Sequence, residues 1–193
     1  IPNYLNYKII KAKIKNLYLR SNINDENMSF VYELSRILKI SQASFINSLN
    51  NFVGLPHRYE IFLKKKNFVF INDSKATSFQ ATKFALKNTK NIYWIVGGLP
   101  KKNDNIKLNS LKSKIIKSYI IGENINFFKN QLQNKVKYYV ARNLKNSIIQ
   151  ILNDIKKFNR KNNTILFSPA SASFDQFLNF EKRGNEFKRL CNQ

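Results

Sequence analysis

The spacing of apolar and polar positions changes near residue 54, and the change divides the chain in two. Before it, Asn3 to Leu19 interleaves Tyr, Ile and Leu with Lys and Asn. That stretch reads as extended, the tail of a sheet whose other strands lie upstream. Asn24 suits the N-cap of a helix running to about Leu38, with Phe30, Val31, Leu34, Ile37 and Leu38 on one face. Ser41 caps a second helix to about Phe52, with Phe45, Ile46 and Leu49 inward. The resulting helical hairpin has no core partner in the chain beyond the extended segment before it.

Gly54, Leu55 and Pro56 interrupt the helical period and read as a linker. After them, short β-branched and aromatic runs alternate with helical patterns. Strands are expected at Tyr59 to Leu63, Phe68 to Ile71, Asn91 to Val96, Ser118 to Ile121, Val136 to Val140 and Thr164 to Phe167. Helices are expected from Phe79 to about Asn88, near Ile106 to Leu111, at Ile125 to Leu132 and Leu144 to Phe158, and from about Phe174 to Leu190. Alternation at these separations makes βαβ units. The predicted fold class is therefore α/β, a Rossmann-like, mainly parallel sheet flanked by helices, preceded by a remnant of a second domain. The expected boundary separates 1–53 from 54–193.

Three polar loops fall at the carboxyl ends of predicted strands, where open α/β sheets bind ligands. The first, "NDSKAT", offers Asp73, Ser74, Lys75 and Thr77 ahead of a helix whose first N–H groups and dipole would suit an anion. The second, "GGLPKKND", has two glycines that permit close backbone approach, and Lys101 and Lys102 as available charges. The third, "SPASASFDQ", carries Ser168, Ser171 and Ser173 before another helix start. Each loop alone also reads as turn and cap chemistry, with Thr77 or Ser78 as a helix cap, Asp73 in an Asx-turn and Lys75 solvated. Their convergence on one rim favours a site for an anionic small molecule. His57, the single histidine, reads as a structural hydrogen-bonder, and Arg58 as a phosphate clamp at the junction or an ion-pair partner of Glu60.

Composition narrows the classes. At 193 residues with 43% hydrophobic and 13% aromatic side chains, the chain can build a core and is not a disordered segment. The formal net charge of +23 raises nucleic acid as a partner, and a basic α/β nucleic-acid-binding protein is one alternative. The lysines are scattered among Asn, Ile and Phe, however, without a basic helix or Arg-rich tract, so no specific nucleic acid is expected. Cys191 is the single cysteine, which excludes disulfide frameworks and cysteine-rich zinc sites within the chain and suggests a reducing compartment. No apolar run has the length of a bilayer span. Neither G-x-G-x-x-G nor G-x-x-x-x-G-K-[ST] occurs, so the chain is not a self-contained dinucleotide or P-loop domain. Nothing suggests a catalytic triad or metal-spaced ligands. A first residue of Ile suggests a sequence that begins inside a longer chain.

At "GLPHRYE", "INDSKAT", "GGLPKKND" and "SPASASFDQFLNFEKRGNEF" the chain resembles the C-terminal part of the Mur ligases, with the motifs in the family's order and spacing. The resemblance implies the end of a central ATPase domain followed by the whole C-terminal Rossmann-like domain. It implies ATP, with Mg2+, as the energy source, and formation of an amide between D-glutamate and UDP-N-acetylmuramoyl-L-alanine in peptidoglycan precursor synthesis. A related ligase, of the folylpolyglutamate type, is the neighbouring alternative. Carried over by motif, Asp73 would face the nucleotide ribose, and Lys75 and Thr77 would face D-glutamate and the acyl-phosphate. Arg58 would meet ATP phosphates, Lys101 would bind a D-glutamate carboxylate, and Ser173 and Phe180 would hold its other end. "NINDEN" is similar to the family's "HNxxN", placing Asn24 and Asn27 near adenine, with Ile23 where the family has His. The P-loop lysine and magnesium ligands would lie upstream, so no catalytic residue and no metal ligand is assigned. A cytoplasmic monomer with no membrane partner, completed by N-terminal and central domains, is the expectation.

Overall fold

The computed structural model describes residues 4–158 and 161–193. It divides into two compact units, Ile1–Gly54 and Leu55–Gln193.

The first unit is helical. Its helices are α1 (Tyr4–Lys11), α2 (Asp25–Ile37) and α3 (Gln42–Asn50), with a 3-10 turn at Asn22–Asn24. Tyr7, Ile10 and Ile14 are fully buried with Met28 and Phe45, and the Tyr32 and Phe45 rings lie 5.3 Å apart. The extended segment expected from Asn3 to Leu19 is thus overturned over Tyr4–Lys11; Asn3 itself lies outside the described residues. Tyr7, Ile10 and Ile14 are three and four residues apart, a helical spacing hidden within a composition that favours strands. Ser41 caps α3 as expected, accepting the Ser44 amide. Asn24 stands at the N-cap of α2 without capping it; its Nδ2 donates instead to the Tyr18 carbonyl at 2.6 Å and to Ser21 Oγ at 3.2 Å. The face of α2 formed by Phe30, Val31, Leu34 and Ile37, with Leu38 beyond it, is 46–76% exposed.

The second unit is a six-stranded sheet in the order β1-β2-β6-β3-β4-β5. Its strands are β1 (Glu60–Lys65), β2 (Phe68–Asn72), β3 (Ile92–Gly97), β4 (Ile115–Ile121), β5 (Tyr138–Arg142) and β6 (Asn163–Phe167). Only β1 runs antiparallel, as the partner of β2 at one edge. Side chains alternate between two layers. Trp94 and Val96 join the cluster with α4 (Phe79–Asn88) and α5 (Ile125–Leu132), while Tyr93 and Ile95 join the cluster with α6 (Leu144–Phe158) and α7 (Phe180–Cys191). Two expectations shift. The helix near Ile106 to Leu111 is a 3-10 segment at Asn109–Lys114, and α7 starts at Phe180 instead of Phe174. The Gln176 and Phe177 amides close a turn on the Ser173 carbonyl, and Asn179, with extended backbone, then caps α7 through the Lys182 amide.

Candidate functional site

Because β2, β6 and β3 are neighbours, the three polar loops leave the carboxyl edge of the sheet side by side. Main-chain bonds join them. The Asp73 amide donates to the Phe167 carbonyl at 2.7 Å and the Gly97 amide to the Pro169 carbonyl at 3.0 Å. Leu99 and Ala172 exchange amide-to-carbonyl bonds of 3.0 and 2.9 Å. Gly98 sits at φ +135°, and a Cβ there would run into the Ala172 carbonyl and Ser171 Oγ, so the second loop needs glycine to approach the third.

Asp73 lies beneath this crossing, only 8% exposed. Its Oδ1 accepts the Tyr59 amide at 3.0 Å and its Oδ2 accepts Ser168 Oγ at 2.6 Å. Burial pushes its pKa up to about 7, with those two bonds and the nearby Arg58 charge opposing the rise. Ser168 and Ser171 are buried and turned inward, Ser168 to Asp73 and Ser171 to the Pro169 carbonyl, so neither hydroxyl is a free ligand group. The N-terminus of α4 is also committed: Asp104 Oδ2 accepts the Phe79 amide at 2.9 Å, and Ser78 Oγ accepts the Ala81 amide. The expected anion seat on that helix end is therefore already filled by a carboxylate from the second loop. Ser78, not Thr77, is the cap; Thr77 is half-buried beside it.

Lys75 and Phe180 meet directly, with the ammonium 3.7 Å from the ring centroid, a cation–π contact. The Lys75 amide is fixed to the His57 carbonyl at 3.0 Å, and Ser74 Oγ donates to the Phe180 carbonyl. His57 is buried, with Nδ1 2.9 Å from Asn72 Nδ2, and burial lowers its pKa so that it is neutral at pH 7. Its reading as a structural hydrogen-bonder agrees with this placement. Arg58 is exposed. The alternative that paired it with Glu60 is overturned, because Glu60 is held by Lys188 Nζ at 3.0 Å and by the His57 amide at 2.9 Å. Lys101 and Lys102 are both exposed on the second loop, and Ser173 is buried at the turn of the third. The second unit thus brings Arg58, Asp73, Lys75, Thr77, Lys101, Ser173 and Phe180 to one edge of its sheet, whereas Asn24 and exposed Asn27 belong to the first unit.

Sequence reasoning missed Arg183 and Asp104. Arg183 is 1% exposed on α7 and donates to carbonyls of two of the three loops. The available signal was its position: Phe180, Arg183, Gly184, Phe187 and Cys191 share one helical face, which places a charge on an inward stripe.

A mainly parallel six-stranded sheet with three polar loops at its carboxyl edge is a Rossmann-like α/β architecture, and solved Mur-type ligases share this fold. The structure of MurF from Acinetobacter baumannii matches with a TM-score of 0.60 at 14% identity, covering 89% of this chain and 38% of that one. A bifunctional folylpolyglutamate synthase/dihydrofolate synthase from Yersinia pestis matches with a TM-score of 0.58 at 13% identity, over 87% and 39%. At such identities the likeness shows the fold alone. No protein-family model matches the chain. Curated relatives named UDP-N-acetylmuramoylalanine–D-glutamate ligase do. The one from Wolbachia sp. subsp. Brugia malayi is 40% identical over 167 residues, 86% of this chain and 33% of the relative. The one from Rickettsia bellii is 33% identical over 189 residues, 98% of this chain and 41% of the relative. The chain is thus related to the Mur ligases and, among them, to the D-glutamate ligases. It spans about a third of the length of the first of these curated relatives.

Proposed function

We propose that this chain is the D-glutamate-binding part of an ATP-dependent amide-forming ligase that extends UDP-N-acetylmuramoyl-L-alanine, its first unit being the end of the central domain. The observation that carries the reading is the junction of the three motif loops on adjacent strands, with a lysine on each of the first two. D-glutamate brings two carboxylates and the activated substrate a phosphate, so the domain's task is charge neutralisation and positioning. Lys101, exposed on a glycine-anchored loop, takes one carboxylate. Ser173 and Phe180 border the other end, and Lys75, parked on the Phe180 ring, turns toward the reacting acyl group. Arg58 faces nucleotide phosphates. Asp73 already accepts two hydrogen bonds, and each carboxylate oxygen has capacity for one more, which leaves room for a ribose hydroxyl.

Among the described residues no group of three His, Cys, Asp or Glu side chains is poised for a metal. In this reading the P-loop cradle for ATP and the ligands for Mg2+ come from polypeptide equivalent to the unmatched part of the relatives. Asn24 and Asn27, on the first unit, are the proposed adenine contacts. No helix among the described residues is long and apolar enough to cross a membrane. The proposed setting is the cytoplasm, with the protein monomeric. An NMR titration of the isotope-labelled chain tests the binding role: D-glutamate should shift the amides around Lys75, Lys101 and Ser173, and L-glutamate should shift them less. Equal responses to both enantiomers, or none, would refute it.

A further inference from the structure

Arg183 enters the structure as a cost. Removing a guanidinium from water carries a large desolvation penalty unless its donors are satisfied, and a methionine of similar length would pack without that penalty. Burial lowers the Arg183 pKa to about 10, so it stays charged at neutral pH. Among the described residues no carboxylate lies within ion-pair distance of it. Its donors go to main-chain carbonyls. Nη2 donates to Ser74 at 2.9 Å and Ser171 at 2.9 Å, and Nη1 donates to Ala172 at 3.0 Å. Ser74 belongs to the loop after β2; Ser171 and Ala172 belong to the loop after β6. One planar fork therefore spans two loops that leave the sheet separately. The Nε group has no hydrogen-bond partner among the described residues.

The rest of α7 supports the same junction. Gly184, the next residue, leaves no space for a Cβ against His57, Ser74 and Asn72. Phe180, one turn earlier, receives the Ser74 hydroxyl on its carbonyl and the Lys75 ammonium on its ring. The Ala172 carbonyl that accepts from Arg183 also accepts the Leu99 amide, so the fork is coupled to the glycine loop that carries Lys101.

We infer that Arg183 is a positioning residue whose buried fork locks the loops after β2 and β6 at fixed separation, so that the crevice is preformed for an acidic amino acid. The ligand class rests on the function proposed above; the lock itself does not. Without the fork, three carbonyls lose charge-assisted partners and the loops move independently, carrying Lys75 and Ser173 out of register.

The test is amide hydrogen exchange on the 193-residue chain and its Arg183→Met and Arg183→Lys variants, followed by D-glutamate titration of each. In Arg183→Met, protection at Lys75, Ala76, Leu99 and Ala172 should fall by on the order of tenfold to a hundredfold, the range of one charge-assisted hydrogen bond. Strands β3 and β4 should keep their protection. The D-glutamate dissociation constant should rise by a comparable factor, and Arg183→Lys should recover part of both losses. Native protection in the loops of Arg183→Met, or equal loss in loops and strands, overturns the lock. If Arg183→Met does not fold, Arg183→Lys decides: selective loop loss supports the lock, and native exchange with native affinity overturns it. Selective loop loss in a chain whose wild type does not bind D-glutamate supports the lock and removes the ligand assignment.

Discussion

Asp73 gives the second unit an unusual pH dependence. An aspartate whose folded pKa lies near 7 holds its proton while the unfolded chain, with its ordinary value of 3.8, has lost it. Between those values the native state binds more protons than the unfolded state, so stability falls as pH rises. From pH 5 to pH 8 the native group ionises while the unfolded one is already ionised. Roughly two pKa units at about 1.4 kcal/mol each give a loss on the order of 3 kcal/mol. His57 acts in the opposite sense: its lowered pKa makes stability rise with pH below 6.5, which masks part of the slope in the wild type. Comparison with Asp73→Asn cancels that contribution, since both proteins keep His57. Glu60 and Asp154, with lowered pKa values, titrate below pH 5 and do not enter. Urea unfolding followed by Trp94 fluorescence is the assay. Trp94 is the single tryptophan, fully buried in β3, and its indole N–H donates to the Ser168 carbonyl at 2.8 Å. The wild type should lose about 3 kcal/mol more than Asp73→Asn between pH 5 and pH 8. Parallel pH profiles for the two proteins would show that Asp73 does not hold a proton in the folded state.

In a ligase assembled from this chain and the part of a relative that it does not match, Lys101→Ala should weaken D-glutamate by roughly 1.5 to 3 kcal/mol, read as its Michaelis constant, with that of ATP little changed. Lys102→Ala is the control, and equal effects of the two would show the loop misread. Gly184→Ala should destabilise the second unit by about 1 to 3 kcal/mol in the same urea assay, because the added methyl meets His57, Ser74 and Asn72; an unchanged midpoint would contradict the packing. Limited proteolysis should cut first before Pro56, since Val53 is fully exposed and the α2 face is open, and mass spectrometry of the early fragments would show otherwise if both units resist equally.

Helices and strands whose period matched their burial were legible in the sequence. The patterns at Ile125 to Leu132 and Leu144 to Phe158 became α5 and α6 with those bounds, and the three loops fell at strand ends because the runs before them are apolar throughout. Helix α1 was obscured because Tyr and Ile favour strands by composition, while the decisive spacing of Tyr7, Ile10 and Ile14 is helical. The start of α7 is not marked in the sequence, because "FDQFLNF" continues an apolar period through a turn. Leu178 there is 77% exposed, and the Asp175 and Gln176 side chains tie the turn to the Glu123 amide and the Arg142 carbonyl. Partners far apart in sequence escaped the reading for the same physical reason. Asp104 on the Phe79 amide, and Arg183 on Ser74 and Ser171, are set by which strands become neighbours, and no local pattern carries that.

If this chain supplies the D-glutamate side of an amide-forming ligase, as proposed, a completed enzyme should turn over accordingly. The chain would be joined to the part of the Wolbachia relative that it does not match, and phosphate release from ATP measured with UDP-N-acetylmuramoyl-L-alanine present. Release should require D-glutamate, be far weaker with L-glutamate, and fall when Lys101 is replaced by Ala. A completed enzyme that folds and binds ATP but turns over equally with or without D-glutamate, or that prefers another amino acid, would contradict it.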